Sequence, residues 1–292
     1  MSDEAFDPLD PRLDVGEWVS DAFDWFTETF QPVLDVVETV LQGLYDGLYE
    51  VLSAPPFLVM IALFAALGWV VRSWKFAVFT VAGFYLVASM DRWDAAMETL
   101  SLVVVAAALA TLISVPLGIW AAKSQAVSNA LRPVLDFMQT MPAMVYLIPT
   151  LFAFGIGVVP GMISTIVFAM PPGVRFTELA IRQVDPEVVE AGQAFGSSPT
   201  RILRQIQLPL ALPTIMAGIN QVIMLSLSMV VLAAMVGAAG LGLDVVSGLQ
   251  SLRVATGVEA GLAVVVLAIY LDRIVSALAD RAPVARATKL RT

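Results

Sequence analysis

Long apolar stretches, each near the length of a membrane span, recur along the chain and restrict its fold more than any other feature. An α-helix needs about 20 apolar residues to cross the hydrocarbon layer of a bilayer. No water bonds the backbone there, so these stretches must form helices that satisfy their own N–H and C=O groups. The chain is therefore predicted to be an all-α integral membrane protein with about seven transmembrane helices. The predicted spans cover residues 54–71, 74–90, 98–122, 135–156, 158–176, 211–236 and 259–279.

Composition excludes several classes of chemistry. Hydrophobic residues make up 59% of the chain and charged residues 14%, against about 45–50% and about 25% in soluble domains. Cysteine and histidine are absent, which excludes disulfides, thiol chemistry, zinc sites built on these ligands and histidine acid–base catalysis. No GxxxxGK[ST] motif occurs, so the chain is not expected to hydrolyse ATP by that route. No cofactor is expected in the chain, and the N-terminus lacks the basic and apolar regions of a cleaved signal peptide.

The basic residues predict the orientation. With residues 1–53 outside and the spans alternating, 13 of the 16 Lys and Arg residues fall on or near the cytoplasmic side. Only Arg12, Arg92 and Arg253 fall outside. Positive residues favour the cytoplasmic side of membrane proteins. The N-terminus is therefore predicted outside and the C-terminus inside.

The N-terminal region differs in charge from the rest. Residues 1–53 contain 13 of the 25 acidic residues, and their apolar positions recur at helical spacing. They are predicted to form an acidic amphipathic tail outside the cytoplasm, with Pro32 dividing it into two helices. Residues 54–97 are predicted to be a transmembrane hairpin, residues 98–280 the main membrane core, and residues 281–292 a short basic cytoplasmic tail.

A polar segment, EAGQAFGSSPTRILRQIQLP at residues 190–209, interrupts the apolar core. Its local signals predict two short helices, over residues 188–195 and 200–206, with a reversal at Gly196 and a restart at Ser198 and Pro199. The segment resembles the EAA–G–I-x-LP motif of ABC importer permeases, with glycine replacing the second alanine. The matching positions are Glu190, Ala191, Gly192, Gly196, Ile206, Leu208 and Pro209. We call residues 183–210 the coupling segment.

The resemblance implies a role for this segment. In the family it is a rigid cytoplasmic knob that seats in a groove of an ATPase subunit. Nucleotide-driven closure of two ATPases then moves the transmembrane helices. The small residues Ala191 and Gly192 are expected to let the partner's backbone come close.

The resemblance extends over residues 98–280, including PLGIWAAKS at 116–124 and AIYLDRI at 268–274. This region resembles the glycine betaine/proline permeases of ABC transporters. The resemblance implies the type I importer (MetI-like) permease fold and a non-catalytic subunit in the cell membrane. It also implies two copies of this chain, two ATPase subunits that bind ATP and Mg²⁺, and an extracytoplasmic betaine-binding protein. Nucleic acid is not an expected partner. The implied substrates are compatible solutes such as glycine betaine, or proline and related betaines.

Polar or proline-broken positions inside the spans are candidates for a solute path, because a polar side chain in a membrane needs a partner or a wet cavity. Hydrogen bonds between helices would satisfy them equally well. The candidates are Gln139, Thr140, Pro142, Asn220, Gln221, Ser226 and Ser228. Asp272 and Arg273, near the end of the last span, are expected to anchor structure, and the glycines of residues 233–248 to loosen the outer end of the sixth span.

Two alternatives remain open from the sequence. A secondary transporter driven by an ion gradient usually has two related halves and ionisable groups near the membrane midplane. The spans contain almost no deep carboxylates, and the polar motif occurs once. Within the ABC permeases, a choline, carnitine or methionine permease is the alternative, since the separate binding protein selects the substrate.

Overall fold

The computed structural model of the protein describes residues 14–280, which form helices and connecting turns. The predicted basic tail, residues 281–292, lies outside the described residues. The helices are α1 (Val15–Ser53), α2 (Phe57–Val71), α3 (Trp74–Ser89), α4 (Trp93–Lys123), α5 (Gln125–Thr140), α6 (Leu147–Phe154), α7 (Val158–Arg182), α8 (Pro186–Ala194), α9 (Pro199–Ile202), α10 (Leu208–Ser228), α11 (Val230–Ala234), α12 (Leu241–Gln250) and α13 (Val254–Asp280). A 3₁₀ turn covers Ala143–Tyr146, and a π-helical turn covers Leu203–Gln207.

Fewer helices qualify as membrane spans than the sequence predicted. Within residues 14–280, α4, α7, α13 and the continuous run Pro199–Ala234 are long and apolar enough to cross a membrane, which makes four. The number rises to six if two bent pairs each count as one span. One pair is α1 with α2, bent by 101°, and the other is α5 with the helix over Ala143–Phe154, bent by 109°.

The predicted spans 74–90 and 135–156 account for much of the difference. α3 has only 16 residues, fewer than the about 20 that a helix needs to cross an average bilayer. The predicted span 135–156 is wrong as a continuous helix, because the chain leaves α5 at Met141 and Pro142 and restarts as a 3₁₀ turn. Proline disfavours helical conformation in the residue before it, and Met141 is extended, with ψ 134°.

The prediction that Pro32 divides the N-terminal region is also wrong, since α1 runs through it over 39 residues. Pro32 lies at an exposed position, where no neighbouring helix encloses the backbone that it frees. The C-terminal part of α1 packs on the core through the buried side chains of Leu41 and Tyr45, whereas Trp18 and Trp25 in its N-terminal part are exposed.

Close packing of α4 against α7 forms the centre of the fold. A Cβ added at Gly118 would lie 2.7 Å from the Val174 carbonyl oxygen, and one added at Gly173 would lie 2.8 Å from the Ser114 Cβ. Small residues at helix contacts let backbones approach, which is how helices associate in lipid without a hydrophobic driving force. The largest apolar cluster joins α4 and α7 to α10, and a second cluster joins α2 and α3 to α13.

The two ends of the bundle differ in their polar contacts. At the end we call the coupling end, Arg182 of α7 donates to the Ala121 carbonyl oxygen of α4 at 2.8 Å. At the opposite, distal end, Arg92 bonds Asp244 of α12 at 3.1 Å and Glu259 of α13 at 3.2 Å. Desolvation lowers the pKa of Arg92, but its hydrogen bonds to Glu259 and Asp244 outweigh this and the pKa is raised. The distal helices are therefore tied together by a charged cluster.

The glycines of residues 233–248 were expected to loosen the outer end of the sixth span and to form a loop there. The helix does end at Ala234 and the chain turns through Gly237, which has φ +95°, but several of these glycines pack closely instead of loosening the structure. A Cβ on Gly242 would lie 2.8 Å from the Val230 carbonyl carbon, and one on Gly248 would lie 2.7 Å from the Gly257 nitrogen. Gly240 has φ +108° and sits against Thr99, whose hydroxyl oxygen accepts a bond from the Leu241 N–H at 2.8 Å. These glycines permit tight packing.

Candidate functional site

The coupling segment begins with a capped helix. The Asp185 carboxylate accepts a hydrogen bond from the Glu187 N–H at 3.0 Å, and Pro186 occupies the first turn. The carboxylate satisfies a free N–H and complements the positive end of the helix. α8 starts two residues before the predicted boundary, which is the usual precision for a helix end.

A glycine reversal ends α8 as the sequence predicted. The Ser197 N–H donates to the Gly192 carbonyl oxygen at 3.1 Å, and the Gly196 N–H donates to that of Gln193 at 2.8 Å. This is the Schellman arrangement, which needs a left-handed residue, and Gly196 has φ +75°. Ser198 then caps α9, accepting from the Arg201 N–H at 3.4 Å.

The predicted second helix, residues 200–206, is α9 followed by the π-helical turn. The Leu208 N–H reaches the Leu203 carbonyl oxygen, five residues back. Single π-helical turns inside helices occur often at functional sites. The turn joins the reversal to α10 without a loop.

Gly192 has a different partner from the one that the sequence suggested. It is buried, and a Cβ there would lie 2.8 Å from the Ile206 Cδ1 and 3.5 Å from the Ile202 Cγ1. Within this chain, its small size lets α8 pack on the second half of the segment, while Ala191 stays exposed. Two separated parts of the motif, the glycine after Ala191 and Ile206, are thus each other's packing partners.

An apolar cluster packs the base of the coupling segment against the helical bundle. Leu208 and Pro209, at the start of α10, are half-buried, and Leu208 packs against this cluster. The cluster also includes Val115 and Ile119 of α4. Its buried members are Ala180, Ile181, Val184, Leu203, Ala211 and Ile215. Displacement of the segment would therefore act on α4, α7 and α10 together, because well-packed side chains do not deform continuously.

The opposite surface of the segment is open. Glu190 and Ala191 are exposed, and Phe195 at the turn is 90% exposed, beside the exposed Val188. The sequence interpretation did not single out Phe195. The sequence feature that could have identified Phe195 is its position: it is an aromatic residue directly before the turn glycine of a polar segment, where folding alone needs no apolar side chain.

The candidate path residues fall into two groups. Gln139, Thr140 and Pro142 are exposed at the break after α5, and Gln221 and Ser228 are exposed on one face of α10. Ser226 is buried and donates to the Val222 carbonyl oxygen at 2.8 Å. Asn220 is half-buried and donates to the Asp272 carboxylate at 2.9 Å.

Asn220 and Asp272 therefore form a hydrogen bond between α10 and α13. This is the alternative to a solute-path role that the sequence left open for Asn220. Arg273 lies 3.7 Å from the same carboxylate. Within residues 14–280, no group of three or more acidic side chains is placed to hold a metal ion.

Buried hydroxyls hold the break after α5 in place. Thr150 of α6 and Ser164 of α7 lie 2.6 Å apart, and Ser164 also reaches the Tyr146 carbonyl oxygen at 3.1 Å. The Tyr146 hydroxyl donates to the Met138 carbonyl oxygen. The Tyr146 bond pairs the Met138 carbonyl oxygen, which Pro142, four residues later, cannot pair because proline has no N–H.

Comparison with known proteins identifies the fold. Residues 114–282 match the model of the family described as "Binding-protein-dependent transport system inner membrane component". A solved structure titled "Inward facing conformations of the MetNI methionine ABC transporter" superposes with a TM-score of 0.54 at 23% identity. The match covers 65% of this chain and 92% of that one. The chain thus has the MetI-like permease fold.

Curated relatives match over nearly the whole chain. The glycine betaine transport system permease protein OpuAB of Bacillus subtilis is 46% identical over 90% of this chain and 94% of that protein. The glycine betaine/carnitine transport permease protein GbuB of Listeria monocytogenes is 45% identical over 94% of this chain and 99% of that protein. The glycine betaine/proline betaine transport system permease protein ProW of Escherichia coli is 41% identical over 94% of this chain and 78% of that protein.

These matches fix several general properties. The chain is a multi-pass protein of the cell membrane, and its family consists of transporter subunits that act with an ATPase and a substrate-binding protein. The chain belongs to the family of binding-protein-dependent transport system inner membrane components, the permease subunits of ABC importers.

Proposed function

We propose that this chain is the permease of an ATP-driven importer for compatible solutes, with glycine betaine as the principal substrate. All three relatives described above are named for glycine betaine, which supports this substrate. The coupling segment carries the proposal, because it joins an open docking surface to a base packed on three membrane helices. The N-terminus is outside and the C-terminus is in the cytoplasm.

The coupling step begins at the exposed surface of the segment. Phe195, Val188 and Ala191 enter an apolar groove of an ATPase subunit, and Glu190 remains at the rim to meet a basic group. Gly192 and Ile206 keep the two halves of the segment rigid. Closure of two ATPases on ATP and Mg²⁺ moves the segment, and the Leu203 and Val184 side chains pass that movement to the helices. This chain itself catalyses no reaction.

The importer contains two copies of this chain, two ATPase subunits and an extracytoplasmic betaine-binding protein. Exposed polar residues on α10, a helix apolar enough to cross a membrane, support a paired arrangement, since hydrocarbon disfavours such residues. Gln139, Thr140, Pro142, Gln221 and Ser228 line the path between the copies. Asn220 and Ser226 support the path helices from behind through their hydrogen bonds.

Carnitine is the second candidate substrate, because the Listeria monocytogenes relative is named for both solutes. The binding protein selects between them. Choline and methionine are not supported by the names of these relatives, and a likeness to a methionine transporter at 23% identity indicates fold alone.

Uptake by the reconstituted complex tests the proposal. Liposomes with this chain, its ATPase and its binding protein should accumulate radiolabelled glycine betaine only when ATP is on the ATPase side. A Ser197→Cys variant should react with an impermeant thiol reagent only from that side, and the chain has no other cysteine. ATP-independent accumulation driven by an ion gradient, or labelling of the Ser197→Cys variant from the other side, would refute the proposed function.

A further inference from the structure

A charged cleft of about 310 Å³ lies between α5 and α7, apart from the coupling segment. It is lined by Arg132, Leu135, Asp136, Arg175, Glu178, Leu179 and Arg182. Three arginines and two acidic residues are unusual beside membrane helices, where charges tend to pair or to mark a functional route. The sequence interpretation assigned no role to any of these five charges beyond orientation.

One of the two ion pairs in the cleft is firmly fixed. Arg182 lies 2.9 Å from Glu178, and it also bonds Gln125 at 3.1 Å and the Ala121 carbonyl oxygen. Glu178 accepts a further bond from the Ser128 hydroxyl at 2.7 Å. This pair fastens the end of α7 to α4 and α5, and its groups are largely satisfied.

The other pair, Asp136 with Arg175, is open. The two side chains contact each other, and they are 64% and 41% exposed. Neither side chain makes a further hydrogen bond within residues 14–280. Each therefore has bonding capacity free for a second partner, since a carboxylate accepts about four bonds and a guanidinium donates five.

The open pair lies next to the proposed path. Asp136 precedes Gln139 and Thr140 by three and four residues, so all three share a face of α5. Arg175 lies on α7 away from its contacts with α4 and α10, which use Thr177 and Phe176. A solute leaving Gln139 and Thr140 toward the coupling end would meet this pair next.

We propose that Asp136 and Arg175 form a transient site for a zwitterionic solute that carries both a carboxylate and a quaternary ammonium. This inference rests on the proposed function and adds a substrate contact to it. The solute carboxylate takes the guanidinium fork of Arg175, which matches carboxylate geometry. The ammonium has no N–H group, so Asp136 attracts it by charge alone.

The exchange keeps the charges balanced. One ion pair of the protein opens, and two pairs with the solute replace it, without leaving an isolated charge. Such an exchange gives weak binding, which suits a site that the solute must leave. A solute with a net positive charge, such as choline, pairs with Asp136 but has no carboxylate for Arg175, so it makes one charged contact where a zwitterion makes two. The site therefore favours zwitterions over cations.

Cysteine labelling measures occupancy directly. Leu179 lines the cleft and is 48% exposed, and Leu278 of α13 is equally exposed but does not line it. In the assembled complex, high glycine betaine should slow thiol labelling of the Leu179→Cys variant about threefold, and choline at the same concentration should not, as expected for weak selective occupancy. The Leu278→Cys variant should label equally in both. Equal labelling of Leu179→Cys in the two solutes, or an unreactive thiol in that variant, would overturn the site.

Charge variants test the site during transport. Asp136→Asn and Arg175→Gln should each lower ATP-driven uptake about tenfold, while ATP hydrolysis stimulated by the binding protein stays within about twofold, because only the solute contact is lost. The swap of Asp136→Arg with Arg175→Asp should restore much of the uptake. The Arg273→Gln variant, from an ion pair outside the cleft, should transport normally. Normal uptake by both single variants, or loss of ATP hydrolysis with no rescue by the swap, would contradict the inference.

The two tests separate this inference from the proposed function. Protection of the Leu179→Cys thiol by glycine betaine in a complex that imports none would retain the site and reject the substrate assignment. Import of glycine betaine without protection and with active single variants would retain the proposed function and reject the site. Preferred import of choline over zwitterions would count against both.

Discussion

Replacement of Phe195 by alanine should separate docking of the ATPase from folding of the permease. Phe195 is 90% exposed in this chain, so its truncation removes almost no contact within the protein. Full burial of a phenylalanine is worth about 1.5–3 kcal/mol, and burial of the exposed nine-tenths in a groove is therefore worth about 2 kcal/mol. Since 1.4 kcal/mol is a factor of about ten, each docking contact should weaken about thirtyfold.

The assay is titration of purified ATPase subunit against the permease in nanodiscs. The Phe195→Ala variant should keep the wild-type unfolding temperature and lose affinity by that factor. Phe152, which is 74% exposed but lies in α6 far along the chain from the coupling segment, provides a matched control, and Phe152→Ala should bind the ATPase normally. Wild-type affinity in Phe195→Ala, or an equal loss in Phe152→Ala, would refute the docking role.

Three further predictions concern the same framework. Glu190→Lys and Gly196→Asp should leave the protein in the membrane but lower its co-purification with the ATPase and abolish uptake; Gly196 has φ +75°, where a side chain with a Cβ strains the reversal. Gly192→Ala should leave transport intact, because the only contact of the new Cβ under 3.4 Å is with the flexible tip of Ile206. Gly173→Ala should instead lower the unfolding temperature, measured in detergent, by several degrees, because its Cβ collides with Ser114 between α7 and α4. Arg92→Gln should cost about 1–2 kcal/mol of stability by leaving two distal carboxylates unpaired, with ATPase affinity unchanged in the same titration.

Local chemistry determines those parts of the coupling segment that the sequence predicted well. Asp185, Pro186, Gly196, Ser198 and Pro199 each satisfy a requirement of the backbone within a few residues, so their roles follow from neighbouring positions alone. The two short helices and the reversal between them were accordingly predicted within two residues, apart from the π-helical turn.

Contacts between distant residues explain the failures. Gly192 was expected to face another subunit, but it faces Ile206, and nothing in the spacing of the motif distinguishes the two. The glycines of residues 233–248 suggested looseness because glycine gives both freedom and close approach, and only the positions of Val230 and Gly257 decide between them.

The break after α5 shows why apolarity alone overestimates continuous spans. Residues 135–156 are apolar enough on average, yet the bonds joining Tyr146, Thr150 and Ser164 stabilise a bend that hydropathy does not register. The charged cleft was missed for a related reason. Its three arginines were used only to predict orientation, its two acidic residues had no assigned role, and Asp136 and Arg175 lie 39 positions apart.

α7 connects the two ends of the proposed mechanism. Its last residue, Arg182, stands three positions before the cap of α8, and Arg175 stands two turns earlier on the same face. Arg182 is held to α4 and α5 by several bonds, whereas Arg175 holds α5 through one replaceable pair. When α7 moves with the coupling segment, the bonds of Arg182 keep the adjoining ends of α7 and α5 together, so the two helices separate most easily at the Arg175–Asp136 pair, about two turns further along α7. In the proposed mechanism, movement of the ATPases and passage of a zwitterion would therefore act on the same contact, the Asp136–Arg175 pair.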